Sequence, residues 1–261
     1  RPEAACLAVA GPVQGGRAQL TNLPWLLDEA ALAEACGLAS VELVNDFAVL
    51  IYGLPHLQPP QLAQVRAGEA VGSAPLLVLG AGTGLGVAFG IPTATGLQAV
   101  ASEAAHGEFA PRSAAEWELR EWLRLDLGVE RVSIERVVSG TGLGHVARWL
   151  LACRSGEGPH PLDNEARRWE AGDGGADLPA AVAGAAAGGD PLAREALDLW
   201  LGSYGAVAGD LALACLSRGG IWLAGGTAAK LLDGLRSPTF NQAFLAKGRL
   251  ASTLGGIPIR A

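Results

Sequence analysis

Apolar residues come in short uncharged runs broken by glycine and polar turns, and between these runs they recur at helical spacing. Residues 6–10 predict a strand that ends at Gly11-Pro12, and the Gly15-Gly16 turn leads to a second short strand near 18–20. A helix is expected from Asp28 to Cys36, with Gly37 as its C-cap. Residues 41–44 predict a strand running straight into Asn45-Asp46, residues 48–53 a helix, and 57–70 a loose Pro-containing connection. Two buried strands, 76–79 and 87–91, flank a glycine turn. Ser113-Ala114-Ala115-Glu116 has the form of a capping box and opens a helix that stops at Gly128. Another helix covers 142–153. The Gly-, Ala- and Pro-rich stretch 154–190 is expected to be a mobile surface loop with one weak helix. Residues 191–218 predict a long helical stretch interrupted near Gly202 and Gly205. A strand at 221–224 then passes through Gly225-Gly226 into a helix from Thr227. Strands alternating with helices make an α/β fold, and no internal repeat is visible.

Composition narrows the function. The 261 residues carry a net charge of -7, which excludes a broad phosphate-neutralising surface, so nucleic acid is not expected as a partner. Cys6, Cys36, Cys153 and Cys215 form no C-x-x-C pair, which argues against zinc ribbons and for buried free thiols in a cytoplasmic protein. Residues 71–102 are uncharged and long enough to span a bilayer. Pro75, Pro92 and five glycines between 80 and 90 favour strand–turn–strand instead, so no membrane span is expected. The chain has no Met and begins at Arg1, from which we expect a piece of a longer chain.

Four segments carry candidate chemistry. Gly80-Ala81-Gly82-Thr83-Gly84-Leu85-Gly86 can bring backbone N–H groups close to an anion. It fails the dinucleotide fingerprint, lacks the Gly-Lys-Ser/Thr of a mononucleotide loop, and leads into a strand. It therefore reads as a hairpin that clamps phosphate, or as a tight turn without a ligand. At the end of its strand, Asp46 is suited to accept a hydroxyl proton and Asn45 to orient that hydroxyl, though either also suits a helix cap. Glu103 and His106, with Glu135 on a separate element, are side chains that engage sugar hydroxyls. Glu103 and His106 also resemble a metal pair, but no third ligand is evident, and His106 alone suits a structural role. Around Gly225-Gly226 a ring or ribose can lie against bare backbone, or the pair is a plain strand-to-helix turn.

The order of these features resembles the bacterial glucokinase family, the hexokinase-type branch of the actin-like ATPase superfamily. The resemblance runs from Cys6 to about Pro258. It includes Ala10-Gly11-Pro12-Val13, Thr21-Asn22-Leu23-Pro24-Trp25, Asn45-Asp46-Phe47, Gly80 to Gly86, Glu103 to Pro111, Glu135 to Gly140, Ala224-Gly225-Gly226 and Phe244 to Gly248. It implies a two-lobed actin-like ATPase (ribonuclease H-like) fold, with 1–57 the remaining part of an incomplete small lobe and 58–261 the large one. It also implies ATP- and Mg²⁺-dependent phosphorylation of glucose to glucose 6-phosphate, the first step of glycolysis, in the cytoplasm. By position, Asp46 corresponds to the base, and Asn45, Glu103, His106 and Glu135 to the glucose ligands. Gly82, Thr83 and Gly84 correspond to a phosphate loop and Gly225 and Gly226 to the adenosine loop; no protein metal ligand is assigned. The resemblance also allows a homodimer.

Three departures stand out. The family's opening Asp-x-Gly-Gly-Thr loop and its closing segment lie beyond this chain, so the 261 residues alone are expected not to turn over ATP. Ala105 stands where members have glycine before the site histidine, and its methyl is expected to crowd the sugar or shift the loop. A catalytically dead sugar-binding homologue and a kinase for another hexose are the alternative readings. The related repressor and sugar-kinase group with a Cys-rich zinc site is disfavoured for want of a Cys cluster.

Overall fold

The computed structural model describes residues 2–20, 23–154 and 158–261. Thr21 and Asn22 of the family-like motif lie outside the described residues. The strands are β1 (Ala4–Val9), β2 (Val13–Gln14), β3 (Arg17–Gln19), β4 (Leu26–Asp28), β5 (Ser40–Asn45), β6 (Gln64–Arg66), β7 (Leu76–Ala81), β8 (Leu85–Thr93), β9 (Gly96–Ser102), β10 (Gly220–Ala224) and β11 (Ile259–Arg260). They form a parallel pair β1-β5, an antiparallel sheet β2-β3-β4, and a six-stranded mixed sheet in the order β6-β11-β10-β7-β8-β9.

The parallel pair sets the end of β5. Its register runs from Ala4 opposite Ser40 to Val9 opposite Asn45, so the chain leaves both strands side by side. The crossover between them is the helix Glu29–Cys36. The Asp28 carboxylate accepts the Ala31 N–H at 3.0 Å, and Gly37 ends the helix at φ 64°. That positive φ is a conformation glycine adopts without strain. Leu26 and Leu27 pair in β4 rather than on a helical face.

In the larger sheet β7 is buried at every position, as expected of a strand covered on both faces. It pairs in parallel with β10 from Leu76 opposite Gly220 to Gly80 opposite Ala224. On its other side β7, β8 and β9 form an antiparallel meander. One face carries the main core, in which the helices Gly140–Cys153, Pro191–Cys215 and Pro238–Leu245 participate through Leu143, Trp200, Tyr204 and Phe240. The helix Ala48–Gly53 covers part of the other face, packing Ile51 against Leu76, Val78 and Ala88.

Several expectations are corrected. The stretch 154–190 holds two helices, Asp163–Glu170 and Leu178–Ala187, rather than one weak one. The Asp177 carboxylate caps the second, which buries Leu178, Val182 and Ala186 at helical spacing. The helix Pro191–Cys215 runs unbroken through Gly202 and Gly205. Those glycines are sites of close approach. A Cβ at Gly205 would overlap the Phe240 carbonyl, and one at Gly209 would lie 2.5 Å from that of Phe244, so the absence of side chains lets the helix Pro238–Leu245 approach closely. The connection at 57–70 contains β6 at a sheet edge. The capping box is half formed. Ser113 Oγ accepts the Glu116 N–H at 3.2 Å, but the Glu116 carboxylate takes the Arg112 N–H and guanidinium instead. The cysteines are free as expected but not buried: Cys6, Cys36 and Cys153 are exposed and Cys215 is partly so.

Candidate active site

A cleft of about 690 Å³ lies where β5, the β7–β8 hairpin and the segments after β9 meet. Asn45, Asp46, Gly82, Thr83, Gly84, Glu103, His106, Glu135 and Gly225 all line it. Gly226 does not; it is the first residue of the helix Gly226–Lys230.

Asn45 is buried and works as a cap. Its Oδ1 accepts the N–H groups of Phe47 and Ala48, each at 3.0 Å, and its Nδ2 donates to the Gly11 carbonyl at 3.2 Å. One amide hydrogen remains. The turn this creates holds the Asp46 N–H on the Val9 carbonyl at 3.0 Å and leaves the Asp46 side chain exposed on the cleft.

The glycine segment is the hairpin expected, with Ala81 opposite Leu85 and three residues at its tip. Its carbonyls are gripped by the start of the helix Gly140–Cys153. The Gly140 N–H donates to Gly82 O at 2.7 Å and Thr141 Oγ1 to Thr83 O at 2.8 Å. Ser139 N-caps that helix, accepting the Gly142 N–H at 2.9 Å, and its own hydroxyl donates to Glu135 O at 2.7 Å. The four glycines have different neighbours. A Cβ at Gly80 or Gly86 would strike the Phe47 ring, and one at Gly84 would strike the Glu135 carboxylate. Gly82 alone of the four has open space.

Glu103 and His106 stand at either end of a short turn after β9. Their side chains approach to 3.5 Å, and each is more than half exposed. Ala105 between them is buried in the main core and does not line the cleft. Its methyl therefore enters the core rather than the cleft, so the expected crowding at the cleft is not found. The following residues pair with the strand-like stretch before Glu135. The Phe109 N–H donates to Val132 O at 2.9 Å, the Ile134 N–H to Gly107 O at 2.9 Å, and Arg131 Nη1 to His106 O at 2.7 Å. This bridge brings the His106 turn beside Glu135, whose Oε2 accepts the Leu85 N–H at 2.9 Å.

Sequence reasoning missed Ser139, Thr141 and His145, all of which line the cleft. His145 donates Nδ1–H to the Arg136 carbonyl at 2.9 Å and meets the edge of Trp169. Burial, and less strongly the nearby Arg148 and Arg136 guanidiniums, push its pKa below the usual imidazole value, against the raising effect of that hydrogen bond. The Ser-Gly-Thr-Gly run at 139–142 was the available signal, because a hydroxyl N-cap four residues after Glu135 places a helix start at the site. Among the residues lining the cleft, Asp46, Glu103 and Glu135 are carboxylates and Arg136 is the one Lys or Arg. Among the described residues no group of three His, Cys, Asp or Glu could hold a metal ion.

A glucokinase family model matches residues 1–261. The chain belongs to the glucokinase family. It is 42% identical to the glucokinase of Synechocystis sp., over 98% of this chain and 74% of that one. With the glucokinase of a Nostoc species it shares 40% identity over 99% of this chain and 77% of the relative. The crystal structure of glucokinase from an Antarctic psychrotroph superposes with a TM-score of 0.75 at 28% identity, covering 98% of this chain and 74% of the other. The fold is accordingly the actin-like ATPase fold, and the reaction of the family is phosphorylation of glucose.

Proposed function

We propose that Asp46 is the base of an ATP:glucose phosphotransferase. Its carboxylate takes the proton of the glucose 6-hydroxyl as that oxygen bonds to the γ-phosphorus, the bond from phosphorus to the β-bridging oxygen breaks, and ADP leaves. The observation that carries this reading is the exposed Asp46 carboxylate at the end of β5, lining one cleft with Glu103, His106, Glu135 and the glycine hairpin. Glu103, His106 and Glu135 then accept or donate to sugar hydroxyls, and the spare Asn45 amide hydrogen does the same. Gly82, where a closer ligand meets no side chain, is the approach point for phosphate, with Thr83 and Gly84 beside it. Gly225, at φ 90° on the cleft, borders the adenosine, and Gly226 behind it opens the helix Gly226–Lys230.

Mg²⁺ fits this cleft as part of the nucleotide complex rather than in a preformed protein cage, since no ligand trio converges among the described residues. Its contribution when bound is to neutralise phosphate charge, which a cleft with three carboxylates and one guanidinium does little to offset. The division into lobes at 57/58 is supported by the separate sheets on either side, although the helix Ala48–Gly53 docks on the larger sheet. A cytoplasmic location is in keeping with four free cysteines.

Asp46→Asn, made in a form of the protein that turns over ATP, tests the base. The expected result is a fall in kcat of about 10²–10⁴-fold with glucose affinity, read by calorimetry, within a few-fold of the parent. Near-normal kcat would remove Asp46 from the role.

A further inference from the structure

At two of the four hairpin glycines, Gly80 and Gly86, the group that a side chain would strike is the Phe47 ring. Gly80 and Gly86 face each other directly across β7 and β8. A Cβ at Gly80 would lie 2.7 Å from one ring carbon of Phe47, and a Cβ at Gly86 would overlap the ring outright. The ring therefore lies on a floor made by a cross-strand glycine pair. The hairpin tip begins two residues further along each strand, roughly 7 Å away at about 3.3 Å per residue.

Phe47 follows Asp46 directly, and both neighbours of Asp46 are anchored. Asn45 is fixed by three hydrogen bonds, one of them to Gly11 in the segment after β1. Phe47 is fixed by its ring on the larger sheet, beside the Ile51, Leu76, Val78 and Ala88 cluster. Asp46 thus sits on a short span tied at one end to the parallel pair and at the other to the strands that carry the phosphate hairpin. We propose that Phe47 is a positioning residue that holds Asp46 in fixed relation to the hairpin, and that Gly80 and Gly86 are glycines to seat its ring rather than to contact phosphate. This rests on the reading of Asp46 as base. Misplacement of a reacting group by about 1 Å can cost about 10²-fold in rate, so a loosened ring is expected to act on kcat before binding.

The test is a double-mutant cycle between Phe47→Leu and Gly86→Ala, with Phe47→Ala in parallel, made in the same ATP-turning form of the protein as Asp46→Asn, and kcat normalised to the glucose-binding sites counted by calorimetry. Phe47→Leu keeps an apolar side chain over the Ile51 cluster and guards against loss of the fold. Each single change is expected to lower kcat about 10–100-fold, leaving KM for ATP and Kd for glucose within about three-fold. The double variant is expected to be no worse than the poorer single, because both remove one contact. Gly82→Ala serves as the control; it meets open space, and its effect is expected on KM for ATP and to multiply with that of Phe47→Leu. The proposal is overturned if Phe47→Leu and Phe47→Ala keep near-normal kcat. It is equally overturned if Gly86→Ala mainly raises KM for ATP and multiplies with the Phe47 changes. Failure of the base is separable, since Asp46→Asn reports on it alone while the cycle reports the ring seat whichever group takes the proton.

Discussion

At the scale of residues, Asn45 performs the capping role that its sequence context left as one of two alternatives. Its Oδ1 satisfies two backbone N–H groups, so Asn45→Ala is expected to cost about 1–3 kcal/mol of stability in urea unfolding, the range for leaving a buried donor unpaired. A side chain that only touched sugar would leave the midpoint unchanged. His145 gives a pH signature. Burial lowers its pKa in the folded state, so as pH falls below the usual imidazole value of about 6.5 the unfolded chain binds the proton first and stability declines. His145→Gln is expected to flatten that part of the curve of unfolding midpoint against pH between 7.5 and 5.5. The place of Asp46 on the cleft was legible because an apolar strand runs into Asn45-Asp46, whereas Glu103 and Glu135 stood out as hydroxyl-binding carboxylates mainly through the order of the family-like motifs. His145 and Thr141 were not, because nothing about either residue type marks a site until the helix start beneath them is located. Ala105 was misjudged for a related reason: which way a methyl points in a short turn is decided by the core it enters.

At the scale of elements, glycines record two opposite situations. Gly205 lies against the Phe240 carbonyl, and Gly205→Ala is expected to destabilise by about 1–3 kcal/mol through overpacking, outweighing the gain in helix propensity. Gly184 in the helix Leu178–Ala187 meets nothing within 4 Å. There, Gly184→Ala is expected to stabilise by roughly 0.5–1 kcal/mol; thermal unfolding of the two variants should move in opposite directions. The sequence placed β5, the β7–β8 hairpin, β10 and most helices well, because their apolar runs are continuous or strongly periodic. It missed β9, whose exposed and half-buried residues leave little apolar alternation to read. It also read the two helices in 154–190 as a loop with one weak helix, because alanine blurs the buried positions. Composition that looks like a loop can still place Leu178, Val182 and Ala186 on one face.

At the scale of the whole molecule, the cleft draws on both the β1-β5 pair and the six-stranded sheet, so a ligand spanning it favours the folded state. Glucose at 100 times its Kd should add about 2.7 kcal/mol of apparent stability. The expected outcome is a glucose-dependent rise in Tm that survives in Asp46→Asn and is lost in Glu135→Ala; persistence in the latter would remove Glu135 from the sugar side. The bridge between Gly107–Phe109 and 132–134 has a consequence for how this molecule can change. The chain departs at Phe109 and returns at Val132, and its two feet are hydrogen-bonded to each other. Between them run the helix Ala114–Asp126 and the Gly128 turn at φ 62°. The excursion is also tied to the site and the core, since Arg131, three residues past that turn, donates to His106 O and Leu119 and Leu123 enter the main core. A change of length at that turn therefore reaches the cleft by one route, the Arg131 guanidinium, and leaves the two hydrogen-bonded feet at 107–109 and 132–134 in place.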